Sequence, residues 1–83
     1  MPIGTTLLKE LQKKYMPSTL IEMRWGRQDV AFRTDKDGHP ILLFIGKKDM
    51  KGAVIGQRYA RTLLFDRNGN KIKDHWDLKG LAT

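Results

Sequence analysis

The densest group of chemically versatile side chains lies in the run Asp74-His75-Trp76-Asp77. On an extended strand His75 and Asp77 project from the same face, because successive side chains alternate between faces. His39 would add a third ligand if another strand brought it close, and three ligands with an open position are typical of catalytic zinc. A histidine between two aspartates is more often simply solvated. We therefore predict no metal site and assign no role to His75 or Asp77.

Two Asp-rich segments, Asp35-Lys36-Asp37-Gly38 and Asp66-Arg67-Asn68-Gly69, resemble the opening of a calcium-binding loop. Such a loop needs a bidentate glutamate further along the chain. The only glutamates, Glu10 and Glu22, both lie upstream of the two segments. Aspartate at the start and glycine at the end are typical of a hairpin turn. We therefore predict two hairpins, with a positive φ at the glycine of each turn.

The sequence carries no catalytic signature. Cysteine is absent, which excludes disulfides, thiol nucleophiles and thiolate metal sites. The one serine, Ser18, has neither histidine near it in sequence, and Gly46-Lys47-Lys48 lacks the first glycine and the hydroxyl of a phosphate loop. Asp74 shares a predicted strand face with Ile72 and Trp76, so the nearby indole favours a raised carboxyl pKa. We predict that the protein is not an enzyme and has no cofactor.

Positive charge is the strongest compositional signal. Lys and Arg number 16 against 9 Asp and Glu, which gives a net charge of +7 and an isoelectric point near 10.0. This balance favours nucleic acid or another polyanion as a partner. No polybasic segment exists, so only folding can assemble a basic patch. The cations and aromatic residues predicted to bind phosphates and stack on bases are Arg24, Arg33, Arg58, Tyr59, Arg61, Lys71, Lys73 and Trp76.

These side chains need a scaffold, and the first element is a helix at about residues 5–15. Thr5 or Thr6 is the predicted cap, and Pro17 ends the helix. The apolar residues lie at helical spacing on one narrow stripe, which favours packing on a sheet over binding to a membrane surface. The stripe consists of Leu7, Leu8, Leu11 and Tyr15.

Beyond residue 17 the apolar period changes to two, which predicts five strands between about residues 18 and 76. Ile41 to Ile45 is apolar at every position and predicts a strand covered on both faces. Gly56 indicates a bend or bulge in the fourth strand, and residues 77–83 are expected to form a frayed tail. The predicted core is Leu11, Ile21, Met23, Val30, Phe32, Leu43, Leu63 and Phe65.

The predicted fold is mainly β (α+β), a single domain over residues 1–83 in which an N-terminal helix precedes a five-stranded antiparallel meander. The meander either closes as a small barrel of the SH3-like or OB-like type or stays an open curved sheet. An OB fold commonly carries a helix between its third and fourth strands, where this sequence offers only a short lysine-rich loop. The SH3-like alternative is therefore slightly favoured.

Two functional hypotheses remain open. The first is a small non-enzymatic module that binds nucleic acid through a curved sheet. The second is a module for protein interaction or self-association, in which an exposed edge strand or the Ile41 to Ile45 segment pairs with another chain. No secretory signal and no membrane-spanning run is evident, so we expect a cytoplasmic protein with no membrane partner.

Overall fold

The computed structural model describes residues 3–82 and contains one helix and five strands. The order of the elements along the chain is the predicted one, with every strand present. They are α1 (Thr5–Leu11), β1 (Leu20–Trp25), β2 (Gln28–Thr34), β3 (Pro40–Lys48), β4 (Val54–Phe65) and β5 (Lys71–Ala82).

The strands form one antiparallel sheet in the order β1-β2-β3-β4-β5, so each strand pairs with its neighbours in sequence. This confirms the predicted meander. The sheet is not closed into a barrel, because β1 and β5 lie at its two opposite edges in the described residues. An open meander leaves two faces to be covered, and the chain supplies one helix for that purpose.

The helix is shorter than predicted and begins differently. Its N-cap is Gly4, which provides no side-chain hydrogen bond, so the predicted threonine cap is wrong. The helix ends at Leu11 because the residues that follow bond elsewhere. Arg61 Nη1 donates to the Leu11 carbonyl at 3.2 Å, and the Tyr15 amide donates to the Gly38 carbonyl at 2.9 Å. These bonds satisfy groups that a longer helix would have paired internally.

The core lies between α1 and one face of the sheet. Its fully buried members include Leu11, Val30, Phe32 and Leu43, each with 0% exposure, as predicted. The predicted Ile21, Met23 and Leu63 are half-buried. Phe65 is 43% exposed, so its assignment to the core is wrong. It lies at the end of β4, beyond the part of the sheet that the seven-residue helix covers.

Residues 77–82 of the predicted frayed tail are instead part of β5, and Thr83 lies outside the described residues. This strand continues to Ala82 because β4 is equally long, with 12 residues, and its first half pairs with the end of β5. The pairing includes Arg58 with Gly80 and Tyr59 with Leu78.

Gly56 lies in a continuous strand rather than at a bulge. It pairs directly with Gly46 of β3, and the two backbones approach very closely. A Cβ at Gly56 would lie 2.1 Å from the Ile45 carbonyl oxygen, and one at Gly46 would lie 1.9 Å from the Ile55 carbonyl oxygen. The register shifts of β4 fall elsewhere, between Arg58 and Tyr59 and between Leu64 and Phe65, in its pairing with β5.

Both predicted turns form as expected. Gly38 has a φ of 88° and Gly69 a φ of 82°, which confirms the left-handed conformation at each. In each turn the opening aspartate accepts two backbone amides through Oδ1, at 2.8 to 2.9 Å. The first turn also makes a tertiary contact, since the Gly38 carbonyl accepts a hydrogen bond from the Tyr15 amide.

Candidate functional site

The two faces of the sheet differ in what covers them. We call the face that packs against α1 the covered face and the opposite one the open face. No helix or strand among residues 3–82 packs on the open face. The strand register brings the open-face residues Glu22, Ala31, Phe44 and Arg58 into one row across β1 to β4. The neighbouring row contains Leu20, Arg33, Leu42, Ala60 and Asp77.

The eight predicted site residues divide between these faces. The structure places four of them, Arg24, Arg33, Arg58 and Lys73, on the open face, where all four are exposed. The other four lie on the covered face. Among them Tyr59 is 3% exposed within the core and Trp76 is half-buried against it. The remaining two are Arg61 and Lys71.

A bulge in β5 places Lys71 and Lys73 on opposite faces, although residues two apart in a regular strand lie on the same face. Lys71 pairs with Phe65 and Lys73 with the adjacent Leu64, so Ile72 is an extra residue between them. An extra residue reverses the alternation of side chains along the strand. Lys71 therefore faces the helix side, where its Nζ lies 3.0 Å from Asp74 Oδ2 and 3.2 Å from Gln12 Oε1.

Arg61 joins the helix to the sheet from inside the core. Its side chain is 1% exposed, and Nε and Nη2 donate to the two Asp74 carboxylate oxygens at 2.6 and 2.8 Å. Nη1 donates to the carbonyls of Leu11 and Pro40 at 3.2 and 3.1 Å. The guanidinium carbon lies 5.6 Å from the centre of the Trp76 ring. All three guanidinium nitrogens therefore donate hydrogen bonds within the fold.

The same pair determines the pKa of the Asp74 carboxyl group. A neighbouring indole on its own favours a raised pKa. The hydrogen bonds from Arg61 instead lower the pKa of Asp74 well below its ordinary value, against the opposing effect of burial, and Lys71 adds to the lowering. Asp74 is an ion-pair partner and does not act as a proton donor near neutral pH.

The four predicted site cations on the open face form fewer ion pairs than Arg61 and Lys71 on the covered face. Arg33, Arg58 and Lys73 form no ion pair with any residue in the described range 3–82. Arg24 lies 3.7 Å from Asp29, with its side chain 64% exposed. Arg33, Arg58 and Lys73 are therefore available to an external anion in a way that the buried Arg61 is not.

Phe44 is the functional candidate that the sequence analysis missed. It lies half-buried on the open face, directly paired with Ala31 on one side and Arg58 on the other. We predicted that its strand is covered on both faces, but α1 covers only the face of Leu43. One signal was present in the sequence. A single helix can cover only one face of a single sheet. The residues of β3 that alternate with Leu43, which include Phe44, therefore lie on the face without a helix.

A shallow groove of about 260 Å³ lies beside Phe44. Its floor includes Ala31, and its polar lining groups are Glu22 and Arg33. Leu20, Val54 and Ile55 contribute apolar walls. A larger cavity of about 500 Å³ lies on the covered face between the start of α1 and Trp25, but its lining residues include no charged side chain.

The histidines lie in two separate local pairs. His75 Nε2 lies 3.1 Å from Asp77 Oδ2 on the open face, as their strand spacing predicted. His39 Nδ1 lies 3.6 Å from Asp35 Oδ2 in the first turn, and an oxygen of Asp37 is a third potential ligand atom; one ligand atom from each of the three residues lies within 4.8 Å of the others. Asp35 Oδ1 is already occupied by the amides of the turn. These contacts are those of a hairpin turn.

Comparison with known proteins gives no guide to the role of this surface. The chain matches no protein-family model, no curated protein and no solved structure. No helix in residues 3–82 is long and apolar enough to span a bilayer.

Proposed function

We propose that this protein binds single-stranded nucleic acid on the open face of its sheet. The observation that carries the proposal is the surrounding of Phe44, a half-buried aromatic ring on the open face with exposed cations of the sheet close by. Arg58 is its direct neighbour on β4, and Arg33 lies one strand away on β2 in the adjoining row. Neither arginine forms an ion pair with a described residue.

The spacing suits a nucleotide chain. Adjacent strands lie about 4.8 Å apart, so the backbones at Arg33 and Arg58, two strands apart, are separated by about 10 Å across the sheet. Both side chains are long, and their guanidinium groups can bind phosphates on either side of a base that stacks on Phe44. Lys73 and Arg24 extend the same face toward its two edges.

An unpaired strand fits this surface better than a duplex. Stacking on Phe44 requires a base whose flat face is exposed, which single strands offer and paired helices do not. The open face also presents no helix that could enter a major groove, because α1 lies on the opposite side.

Salt dependence of binding tests the proposal. Four phosphate contacts to a single strand predict that log K falls against log salt with a slope of about −3. The measurement is fluorescence anisotropy with labelled single-stranded and double-stranded oligonucleotides at several salt concentrations. Replacing Arg33 and Lys73 together by Glu is expected to weaken binding and flatten the slope. Absence of binding at low salt, with the protein folded by circular dichroism, would overturn the proposal.

Self-association through β5 is the second candidate. This edge strand has 12 residues and exposes Ile72, Leu78 and Leu81 at 64%, 47% and 72%. In an antiparallel pair of two β5 strands centred on His75, Lys73 of one copy faces Asp77 of the other, which is a favourable cross-strand pair. Light scattering across a range of concentrations is expected to show a dimer. A monomer throughout that range would remove this candidate.

A further inference from the structure

We infer that the groove beside Phe44 accepts one guanine base of the bound strand, with Glu22 binding the edge of that base. The inference rests on the proposed binding of single-stranded nucleic acid and specifies which base that surface prefers. It follows from the arrangement of three side chains in one row of the open face.

In this row the small residue Ala31 lies between the carboxylate of Glu22 and the aromatic ring of Phe44. Glu22 pairs directly with Ala31, and Ala31 pairs directly with Phe44. Two strand spacings, about 10 Å in all, therefore separate the backbones that carry the carboxylate and the ring. The methyl group of Ala31 leaves a depression between them, and this depression is the floor of the 260 Å³ groove. A base that contacts Phe44 would direct one edge toward Glu22.

Glu22 is otherwise misplaced on a surface that binds phosphates. A carboxylate repels phosphate oxygens and can only accept hydrogen bonds. Its one ionic contact is Lys48, whose Nζ lies 3.7 Å from Oε1, and its side chain remains 39% exposed. No described residue donates a hydrogen bond to Oε2. A carboxylate in this position favours a ligand group that donates hydrogen bonds.

Among the bases, guanine satisfies a carboxylate best. Its Watson-Crick edge presents two adjacent donors, N1–H and the 2-amino group, which match the two oxygens of one carboxylate. The same edge of adenine or cytosine places one donor beside an acceptor, and that of thymine places one donor between two acceptors. Each of these would direct at least one acceptor toward the negative charge of Glu22. Arg33, at the rim of the groove, then neutralises the phosphate of the same nucleotide.

The test uses labelled oligo-dT with a single central substitution, compared with oligo-dT itself by anisotropy. We expect central dG to bind about tenfold more tightly than central dT, dA or dC, since one good bidentate contact discriminates by roughly that factor or more. Central dI, which lacks the 2-amino group, is expected to lose most of this preference.

Two matched variants separate the base contact from general charge. Glu22→Gln removes a negative charge from the open face and replaces one acceptor by a donor, so the preference for dG is expected to disappear. Asp77→Asn removes the same charge from the same face outside the groove. This control is expected to tighten binding to all the oligonucleotides while keeping the preference for dG.

The outcomes distinguish this inference from the proposal on which it rests. If oligo-dT binds and central dG gives no advantage, or if Glu22→Gln keeps the dG preference, the guanine assignment is wrong and the binding surface remains. If none of the oligonucleotides binds the folded protein, both are wrong. Ala31→Leu, which fills the groove, is expected to reduce the dG advantage.

Discussion

The covered and open faces of the sheet are built from alternate residues of the same strands, yet arginines on the two faces differ in their burial and in their contacts within the fold. On the covered face Arg61 is 1% exposed at its side chain and bound to Asp74 and two carbonyls. On the open face Arg33 and Arg58 are exposed and form no ion pair with a described residue. Positive charge in the sequence therefore does not by itself show which cations are available to a ligand, because Arg61 is fully engaged within the fold and Arg33 and Arg58 are not.

The largest expected difference between the faces is in the free energy of unfolding that two adjacent residues of β3 contribute. Leu43 is 0% exposed in the core, and its neighbour Phe44 is half-buried on the open face. We expect Leu43→Ala to lower the free energy of unfolding by about 3 kcal/mol, because it removes buried methyl groups and leaves a cavity. Phe44→Ala is expected to lower it by about 1 kcal/mol. Urea denaturation of both variants measures the difference, and equal losses would mean that the open face is part of the core.

The second comparison is between two aspartates, Asp74 on the covered face and Asp77 on the open face. Asp74→Asn leaves the buried Arg61 without its counter-charge, so we expect a loss of about 3 kcal/mol in the free energy of unfolding. Asp77→Asn, which breaks the exposed contact with His75, is expected to change it by about 0.5 kcal/mol or less. Similar losses in the two variants would contradict the assigned role of Arg61.

Acid should remove the contribution of the Asp74 pair. The folded-state pKa of Asp74 is held below its ordinary value by Arg61, so its stabilising effect is complete above about pH 5 and declines as the pH falls below that. We therefore expect the stability difference between the parent protein and Asp74→Asn to shrink between about pH 5 and pH 2. A difference that stays constant over this range would contradict the assignment.

The smallest expected difference in stability is between alanine substitutions at the glycines of the two hairpin turns. Both glycines need a positive φ, so Gly69→Ala is expected to cost about 1 kcal/mol. A Cβ at Gly38 would in addition lie 2.2 Å from the Tyr15 carbonyl oxygen, whereas Gly69 has no atom in its way. We expect Gly38→Ala to cost about 2 kcal/mol, since the chain after α1 must move. Thermal unfolding of both variants tests this, and equal shifts would show that the Tyr15 contact contributes nothing.

Much of this fold was predictable from local patterns. The alternation of side chains assigned Val30 and Phe32 to the core and Ala31 and Arg33 to the opposite face, as the structure has them. The turn motifs predicted both positive φ angles. These features depend on residues close in sequence, so the sequence contains the information needed to predict them.

The predictions that were wrong concern features that depend on residues distant in sequence. The end of α1 is determined by bonds from Arg61 and Gly38, and the last strand extends because the first half of β4 pairs with it. The bulge at Ile72, which separates Lys71 from Lys73, is not encoded by any glycine or proline there. For this reason Lys71 was grouped with Lys73, although the two lie on opposite faces. Arg58 and Arg61 lie on opposite faces by strand alternation alone, and the predicted site did not separate them.

The central claim is that the open face is where the nucleic acid binds, and a comparison of two charge reversals tests it most directly. Arg33→Glu with Arg58→Glu changes the open face, whereas Lys9→Glu with Lys36→Glu makes the same change in net charge at exposed positions of α1 and the first turn. The measurement is the Kd for labelled oligo-dT of about twelve nucleotides at low salt. We predict that the open-face pair raises Kd at least about tenfold and the control pair about threefold or less. Equal increases in the two variants would show that net charge alone attracts the strand, and would contradict the account.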